Sequence, residues 1–409
     1  MTRDLAEVFA LSFGPADHPL GLAVSGGGDS VAMLCLAAEA GLPVAVVTVD
    51  HGLRPESAGE AVWVADLCRK LDLPHDTLRW QGWDGTGNLQ DQARRARLGL
   101  MADWARARRI PTIALAHTRD DQAETVLMRL ARRSGVDGLS AMSPRRDHLG
   151  VTWARPLLGI GRQDLRDWLS ARGQDWIEDP SNEALRFDRV KAREALRHLE
   201  PLGISPAVLA DVASQMRSVR QALDRQTVQA ARRLARIVAG DVSISRDGFL
   251  DLPPEIARRL MVMALRWIAP GDYAPRMSSV AELLQAVAAG EGGTLAGCRL
   301  VVHRGRLHFC RELQALAGVS VEPGQAWDGR WRLIGPAAAG LKVRALGPEG
   351  LAQCPGWRDA GLPRPAAMAT PGVWQEGSLL AAPLLRREAN WRAEPLRAED
   401  GFFLSTLSH

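Results

Sequence analysis

The sequence predicts an α/β protein: a parallel, doubly wound sheet at the N-terminus, then a helical middle region and a small α+β C-terminal domain. Three observations lead there. Short apolar runs alternate with amphipathic helix-like stretches up to roughly residue 160, the pattern of strands covered by helices on both faces. A glycine-rich loop lies directly between the first such run and the first such helix. The composition then shifts, to long helical stretches after residue 204 and to Gly-, Pro- and Trp-rich extended runs after residue 315. The expected domains are therefore 1–204, 205–315 and 316–409.

In chain order, strands are expected at Leu20 to Val24, Pro43 to Val49, His75 to Trp80 and Pro111 to Ala116. Helices are expected at Val31 to Ala40, Ala58 to Leu71, Leu89 to Arg108 and Asp120 to Arg133. Ligands of such sheets bind beyond the carboxyl ends of the strands. Asp50-His51-Gly52-Leu53-Arg54 follows the second strand, and His117-Thr118-Arg119-Asp120-Asp121-Gln122-Ala123-Glu124-Thr125 follows the fourth. Further on, helices are expected around Ala207 to Ala239 and Pro254 to Trp267, with strand-like pieces at Arg299 to Phe309.

At 409 residues the chain exceeds one ordinary core. An apolar fraction of 46% and a charged fraction of 24% are those of a globular protein. No run of about 18 apolar residues suggests a membrane span, and Asp4 and Glu7 break any secretory leader, so a cytoplasmic protein is expected. The five cysteines are scattered without a Cys-x-x-Cys pair, which indicates neither a disulfide framework nor a metal cluster. The net charge is only +4, but arginines gather at Arg94, Arg95, Arg97, Arg106, Arg108 and Arg109, and again at Arg129, Arg132, Arg133, Arg145 and Arg146. Such clusters suit a phosphate backbone or a solvated helix face.

Ser25-Gly26-Gly27-Gly28-Asp29-Ser30, between a strand and a helix, has the makings of an anion hole. The glycines admit a phosphate close to the main chain, and the helix N-terminus adds donors and partial positive charge. The loop lacks the Gly-Lys-Ser/Thr ending of a Walker A motif and the wider spacing of a dinucleotide fingerprint. It resembles the PP-loop of the ATP pyrophosphatase superfamily, whose members split ATP between the α- and β-phosphates and attach AMP to a carbonyl oxygen. Asp121 and Glu124, three residues apart, share a helical face after the fourth strand. Two carboxylates there suit magnesium, an ammonium group, or a capping box.

Further blocks narrow the resemblance. Asp50-His51-Gly52-Leu53-Arg54, His117 with Asp120, Asp121, Glu124 and Thr125, Arg155-Pro156-Leu157-Leu158, and Trp176 followed by Asp179, Ser181 and Asn182 resemble the tRNA(Ile)-lysidine synthetase family in order and spacing, over roughly residues 18 to 200. The resemblance implies an adenine nucleotide α-hydrolase-like fold. It also implies a reaction: ATP adenylates the wobble cytidine of the isoleucine tRNA with a CAU anticodon, and the ε-amino group of free lysine displaces AMP to give lysidine. The partners so implied are that tRNA and lysine, with no membrane and no obligatory protein partner.

Carried over by position, the resemblance places ATP on Ser25, Gly26, Gly27, Gly28, Asp29, Ser30, Asp50 and His51, with Asp29 holding Mg2+ over the phosphates. Asp121 and Glu124 receive the lysine ammonium, Asp121 being the first candidate for a base, and His117 contacts nucleotide or substrate. Arg94, Arg97, Arg189 and Arg193 reach tRNA or phosphate. Val190 stands where the family has asparagine, and Leu98 where an aromatic is common. Trp327 with Arg330, Trp331-Arg332, Trp357-Arg358 and Trp391-Arg392 offer RNA stacking or plain core packing. Two other readings stay open on sequence: another PP-loop activating enzyme, such as a tRNA thiolase or amide-forming synthetase, and a non-catalytic RNA-binding protein with a relic phosphate loop.

Overall fold

A computed structural model describes residues 4–52, 56–80, 89–178, 188–269, 275–386, 388 and 390–404. Leu53, Arg54, Asp179, Ser181 and Asn182, singled out in the sequence, lie outside the described residues. The chain forms two compact units that divide between Arg220 and Gln221.

The first unit opens with α1 (Leu5–Ala10), β1 (Leu20–Ala23), α2 (Gly28–Glu39), β2 (Val44–Asp50), α3 (Ser57–Lys70), β3 (His75–Arg79), α4 (Leu89–Ala107), β4 (Thr112–Leu115) and α5 (Arg119–Ala131). It continues with α6 (Val136–Leu139), β5 (Arg145–His148), β6 (Val151–Ala154), α7 (Arg162–Ser170) and α8 (Asp188–Leu199). The sheet order is β3-β2-β1-β4-β6-β5. All neighbours run parallel except β5 and β6.

Alternation along the strands explains the two covered faces. Val44 and Val46 of β2 join Leu20 and Leu22 in a core with Met33 and Leu36 of α2, Leu67 of α3 and Leu165 and Leu169 of α7. Ala45 and Val47 point the other way, into a core with Met101, Trp104 and Ala105 of α4 and Trp153 of β6. Side chains one residue apart on a strand face opposite sides, so a nearly continuous apolar run fills both layers. The chain moves outward from β1 to β2 and β3, then returns to β1's other side with β4. Strand order therefore reverses between β1 and β4, the switch point where such sheets bind ligands.

The β5–β6 hairpin was not expected. Its two-residue turn, Leu149-Gly150, has φ +55° and +76°, the hairpin geometry that favours Asn-Gly or Asp-Gly and that leucine disguises. In the second arginine cluster, Arg145 ion-pairs with Asp17, and Arg132 with Asp188 at 3.3 Å.

The long helix α9 (Pro206–Leu234) ends before the expected Ala239. Ala235–Val238 instead forms the first strand of a five-stranded antiparallel sheet with Asp241–Ser245, Arg306–Arg311, Cys298–His303 and Gly293–Leu295. Helices Pro254–Ile268 and Met277–Ala288 supply much of the core beside it. Two three-stranded sheets follow, Ala326–Trp327 with Trp331–Ile334 and Arg392–Pro395, and Lys342–Ala345 with Pro371–Gln375 and Ser378–Ala381. Trp327 and Trp331 are core residues, 0% and 5% exposed, which removes them as RNA-stacking platforms. Beneath them Arg330 joins Asp328 at 2.9 Å to Asp241 at 3.5 Å in a buried ionic network. No helix among the described residues is long and apolar enough to cross a membrane.

Candidate active site

The glycine-rich loop leaves β1 and becomes the first turn of α2, with Gly27 at the N-cap. Gly26 has φ +91°, and a Cβ there would sit 2.6 Å from Ile177 Cδ1. Glycine is needed on both counts. The Ile177 N–H donates to the Gly26 carbonyl at 2.9 Å, and Trp176 packs against Gly28. The Ser30 hydroxyl donates to the Gly27 carbonyl at 2.8 Å and accepts from the Ser25 N–H at 3.2 Å. Ser30 thus spends its side chain on closing the loop, which leaves the first amides of the helical turn as the candidate anion donors.

Across the switch point, Thr118 caps α5, and Asp121 answers as its capping-box partner. Asp121 Oδ2 accepts from the Thr118 N–H at 2.8 Å and from its hydroxyl at 3.1 Å. The capping reading and the functional reading of Asp121 are compatible, because Oδ1 points elsewhere. It meets Arg162, the first residue of α7, at 3.2 Å.

Arg162 is the residue that sequence reasoning missed. Its Nε donates to Asp29 Oδ2 at 3.1 Å, its Nη2 to Asp121 Oδ1 and its Nη1 to Glu124 Oε1 at 3.3 Å. Three carboxylates from two elements converge on one guanidinium. The only signal was the position of Arg162 at the start of an amphipathic helix just after the Arg155-Pro156-Leu157-Leu158 block.

The charges respond to this crowding. Burial pushes the Asp29 carboxyl above its ordinary range, with Arg162 pulling against it. Burial also works to raise Asp121, but Arg162, the Thr118 N–H and neighbouring cations outweigh it and hold Asp121 below the usual carboxylate range. Glu124 has a side chain 1% exposed. Its Oε1 accepts from Arg162 and, at 3.0 Å, from Arg193 Nε, while its Oε2 is buried with no hydrogen-bond partner.

Arg189 approaches Asp121 Oδ1 at 3.9 Å. The structure therefore brings both Arg189 and Arg193 to the carboxylates. Arg94 and Arg97 lie on α4 within one cationic group: Arg97 feels Arg94 and Arg189 as like charges, and Arg155 feels Arg94. His117 borders this group; burial pushes its imidazole down to about 3, and its Nδ1 has no hydrogen-bond partner. Asp50, the last residue of β2, accepts from the Ser57 hydroxyl at 2.6 Å and the Gly52 N–H at 3.0 Å, which holds its carboxyl low and ties down the start of α3. His51 follows it at the same strand end.

Among the described residues no group of three His, Cys, Asp or Glu side chains could hold a metal ion. Asp29 alone at the loop fits a magnesium ion that arrives with nucleotide phosphates, since that ion is commonly held by one or two carboxylates plus phosphate oxygens and water. All five cysteines are free, and burial pushes the Cys35 and Cys68 thiols up to about 11.

A PP-loop domain family matches residues 2–200. A tRNA(Ile)-lysidine synthase of Ruegeria pomeroyi is 52% identical over 95% of this chain and 94% of its own. One from a Bradyrhizobium species is 43% identical, over 60% of this chain and 73% of its own. Another, from a Methylobacterium species, is 40% identical over 71% of this chain and 88% of its own.

Proposed function

The chain belongs to the tRNA(Ile)-lysidine synthase family, and from that premise we propose how its residues divide the work of forming lysidine on tRNA. ATP enters at the PP-loop, where the amides of Gly26, Gly27, Gly28 and Asp29 and the turn closed by Ser25 and Ser30 cradle its phosphates. Asp50 and His51 border the nucleotide from the neighbouring strand end. Asp29 would hold the magnesium carried with the nucleotide, which would supply charge neutralisation for the departing pyrophosphate.

The tRNA enters with its CAU anticodon, and the carbonyl oxygen of the wobble cytidine takes the adenylyl group. Arg94 and Arg97 meet phosphate, and Arg189 and Arg193, which pair with Asp121 and Glu124, are the further candidates for tRNA contact. The ε-amino group of lysine, once deprotonated, attacks the activated carbon and AMP leaves with the former carbonyl oxygen. We assign Asp121 as the group that receives that proton. A cytoplasmic location follows in this reading from its tRNA substrate.

The observation that supports the lysine side best is Glu124 Oε2, a buried carboxylate oxygen without a donor, one guanidinium away from the phosphate loop. An unpaired buried acceptor costs roughly 1–3 kcal/mol, more when charged, and an ammonium group would satisfy it. The test incubates the enzyme with ATP, magnesium, labelled lysine and either the CAU-anticodon isoleucine tRNA or the methionine tRNA sharing that anticodon. Acid-stable label in the isoleucine tRNA alone, lost when the wobble cytidine becomes uridine, is expected. Label in neither RNA, with AMP still released, would contradict lysine as the nucleophile.

A further inference from the structure

We propose that Arg162 is a positioning residue that holds the phosphate-loop carboxylate Asp29 in register with the lysine-side carboxylates Asp121 and Glu124, so that the two half-sites act as one. The proposal rests on the assignment of those three carboxylates given above.

The geometry carries it. Each of the three guanidinium nitrogens serves a different carboxylate: Nε serves Asp29, Nη2 serves Asp121 and Nη1 serves Glu124. Asp29 belongs to α2, whereas Asp121 and Glu124 belong to α5. Arg162 belongs to neither, and its own helix is anchored to both. Leu165 and Leu169 of α7 share a core with Val31, Leu34 and Leu36 of α2. The start of α7 is locked to the start of α5: the Arg162 N–H donates to Asp120 Oδ2 at 2.7 Å, and the Arg119 N–H donates to the Ile160 carbonyl at 2.9 Å. Arg119 also pairs with Asp164 at 3.2 Å, and Asp164 caps the Gly161 N–H at 3.1 Å. Gly161 permits this closeness, since a Cβ there would lie 2.5 Å from Arg119 Nη2.

A backbone so fixed presents the guanidinium at one place between the two helices. A planar fork with donors on three separate nitrogens spans the three carboxylates from there; the three donors of a lysine ammonium diverge from one atom on a flexible stem. The bridge also uses one oxygen of each carboxylate. Glu124 Oε2 is left without a partner, facing the role assigned to it above. Arg162 therefore aligns the groups that receive substrates without being one of them.

The test compares the full-length wild type, Arg162→Lys and Arg162→Gln, each with the CAU-anticodon isoleucine tRNA. Pyrophosphate release without lysine reads the adenylation half-reaction, and lysine incorporation reads the whole. Thermal melting, run in parallel, sets an assay temperature at which every variant is folded. Misplacement by about 1 Å is worth about a hundredfold in rate. Both variants are expected to lose roughly that factor in kcat for lysine incorporation, with a raised lysine KM and a slower adenylation half-reaction, and lysine at position 162 is not expected to rescue. Wild-type kinetics in Arg162→Lys would show that charge alone suffices and would overturn the proposal. So would normal kinetics in Arg162→Gln with only a lowered melting temperature. A lysine KM that falls in Arg162→Gln would overturn it too, by making Arg162 a competitor for the ammonium site. No lysine incorporation by the wild type would overturn the functional reading and this proposal together.

Discussion

The main-chain N–H of Ile177 donates to the carbonyl oxygen of Gly26 at 2.9 Å, so the segment after α7 closes over the phosphate loop and fixes its conformation. Gly26 sits at φ +91° with no room for a Cβ beside Ile177 Cδ1. Gly26→Ala is expected to cost about 1–3 kcal/mol of local strain and to raise the ATP KM. The check is thermal melting with and without ATP, alongside pyrophosphate release; a variant with wild-type values in both would show that the loop tolerates another shape.

Asp29 contributes a carboxylate to the loop and shares it with Arg162 at 3.1 Å. Asp29→Ala is expected to abolish AMP formation while leaving tRNA affinity within a few-fold. Filter binding of the tRNA, measured beside AMP release, decides the matter. Equal loss of both would make Asp29 a structural residue.

His117 gives a pH dependence with a definite sign. Burial holds its imidazole near 3 in the folded chain, below its ordinary value of 6.5. Between those values the unfolded chain binds a proton that the folded chain does not. Stability therefore rises with pH across this window and is lost as pH falls from 6.5. The slope from this group is at most about 1.4 kcal/mol per pH unit. His117→Asn is expected to melt with a smaller drop between pH 6.5 and 5 than wild type. An identical drop would show that the imidazole is protonated in the folded chain.

Arg330 lies in the second unit between Asp328 and Asp241, its side chain 8% exposed. Arg330→Met leaves two buried carboxylates short of a cation and is expected to cost roughly 3–5 kcal/mol. Calorimetry should show an early transition for this variant. An unchanged melting profile would mean that Arg311 and His308, which also touch Asp328 and Asp241, hold the network alone.

What could be read from the sequence was local. The glycine-rich loop, the strands that feed the rim and the helix carrying Asp121 and Glu124 are each encoded within a few consecutive residues, and the structure puts their ends within one or two residues of expectation. The role of Arg162 depends on partners in two other helices, and no local pattern marks it. The same reason hid the orientation of Arg189 and Arg193 toward carboxylates. The β5–β6 hairpin escaped because leucine occupies a left-handed turn position usually given to Asn, Asp or Gly. The Trp-Arg pairs left two readings open because tryptophan beside arginine reads alike in a core and on an RNA-binding face; Trp327 and Trp331 follow the core reading.

If the unpartnered oxygen of Glu124 receives the lysine ammonium, Glu124→Gln shows it in the lysine KM. Replacing the carboxylate with an amide keeps its size and removes the charge that would attract an ammonium group. The lysine KM is expected to rise at least about tenfold, equivalent to about 1.4 kcal/mol, with the ATP KM unchanged. An unchanged lysine KM, or an equal rise in both constants, would contradict it.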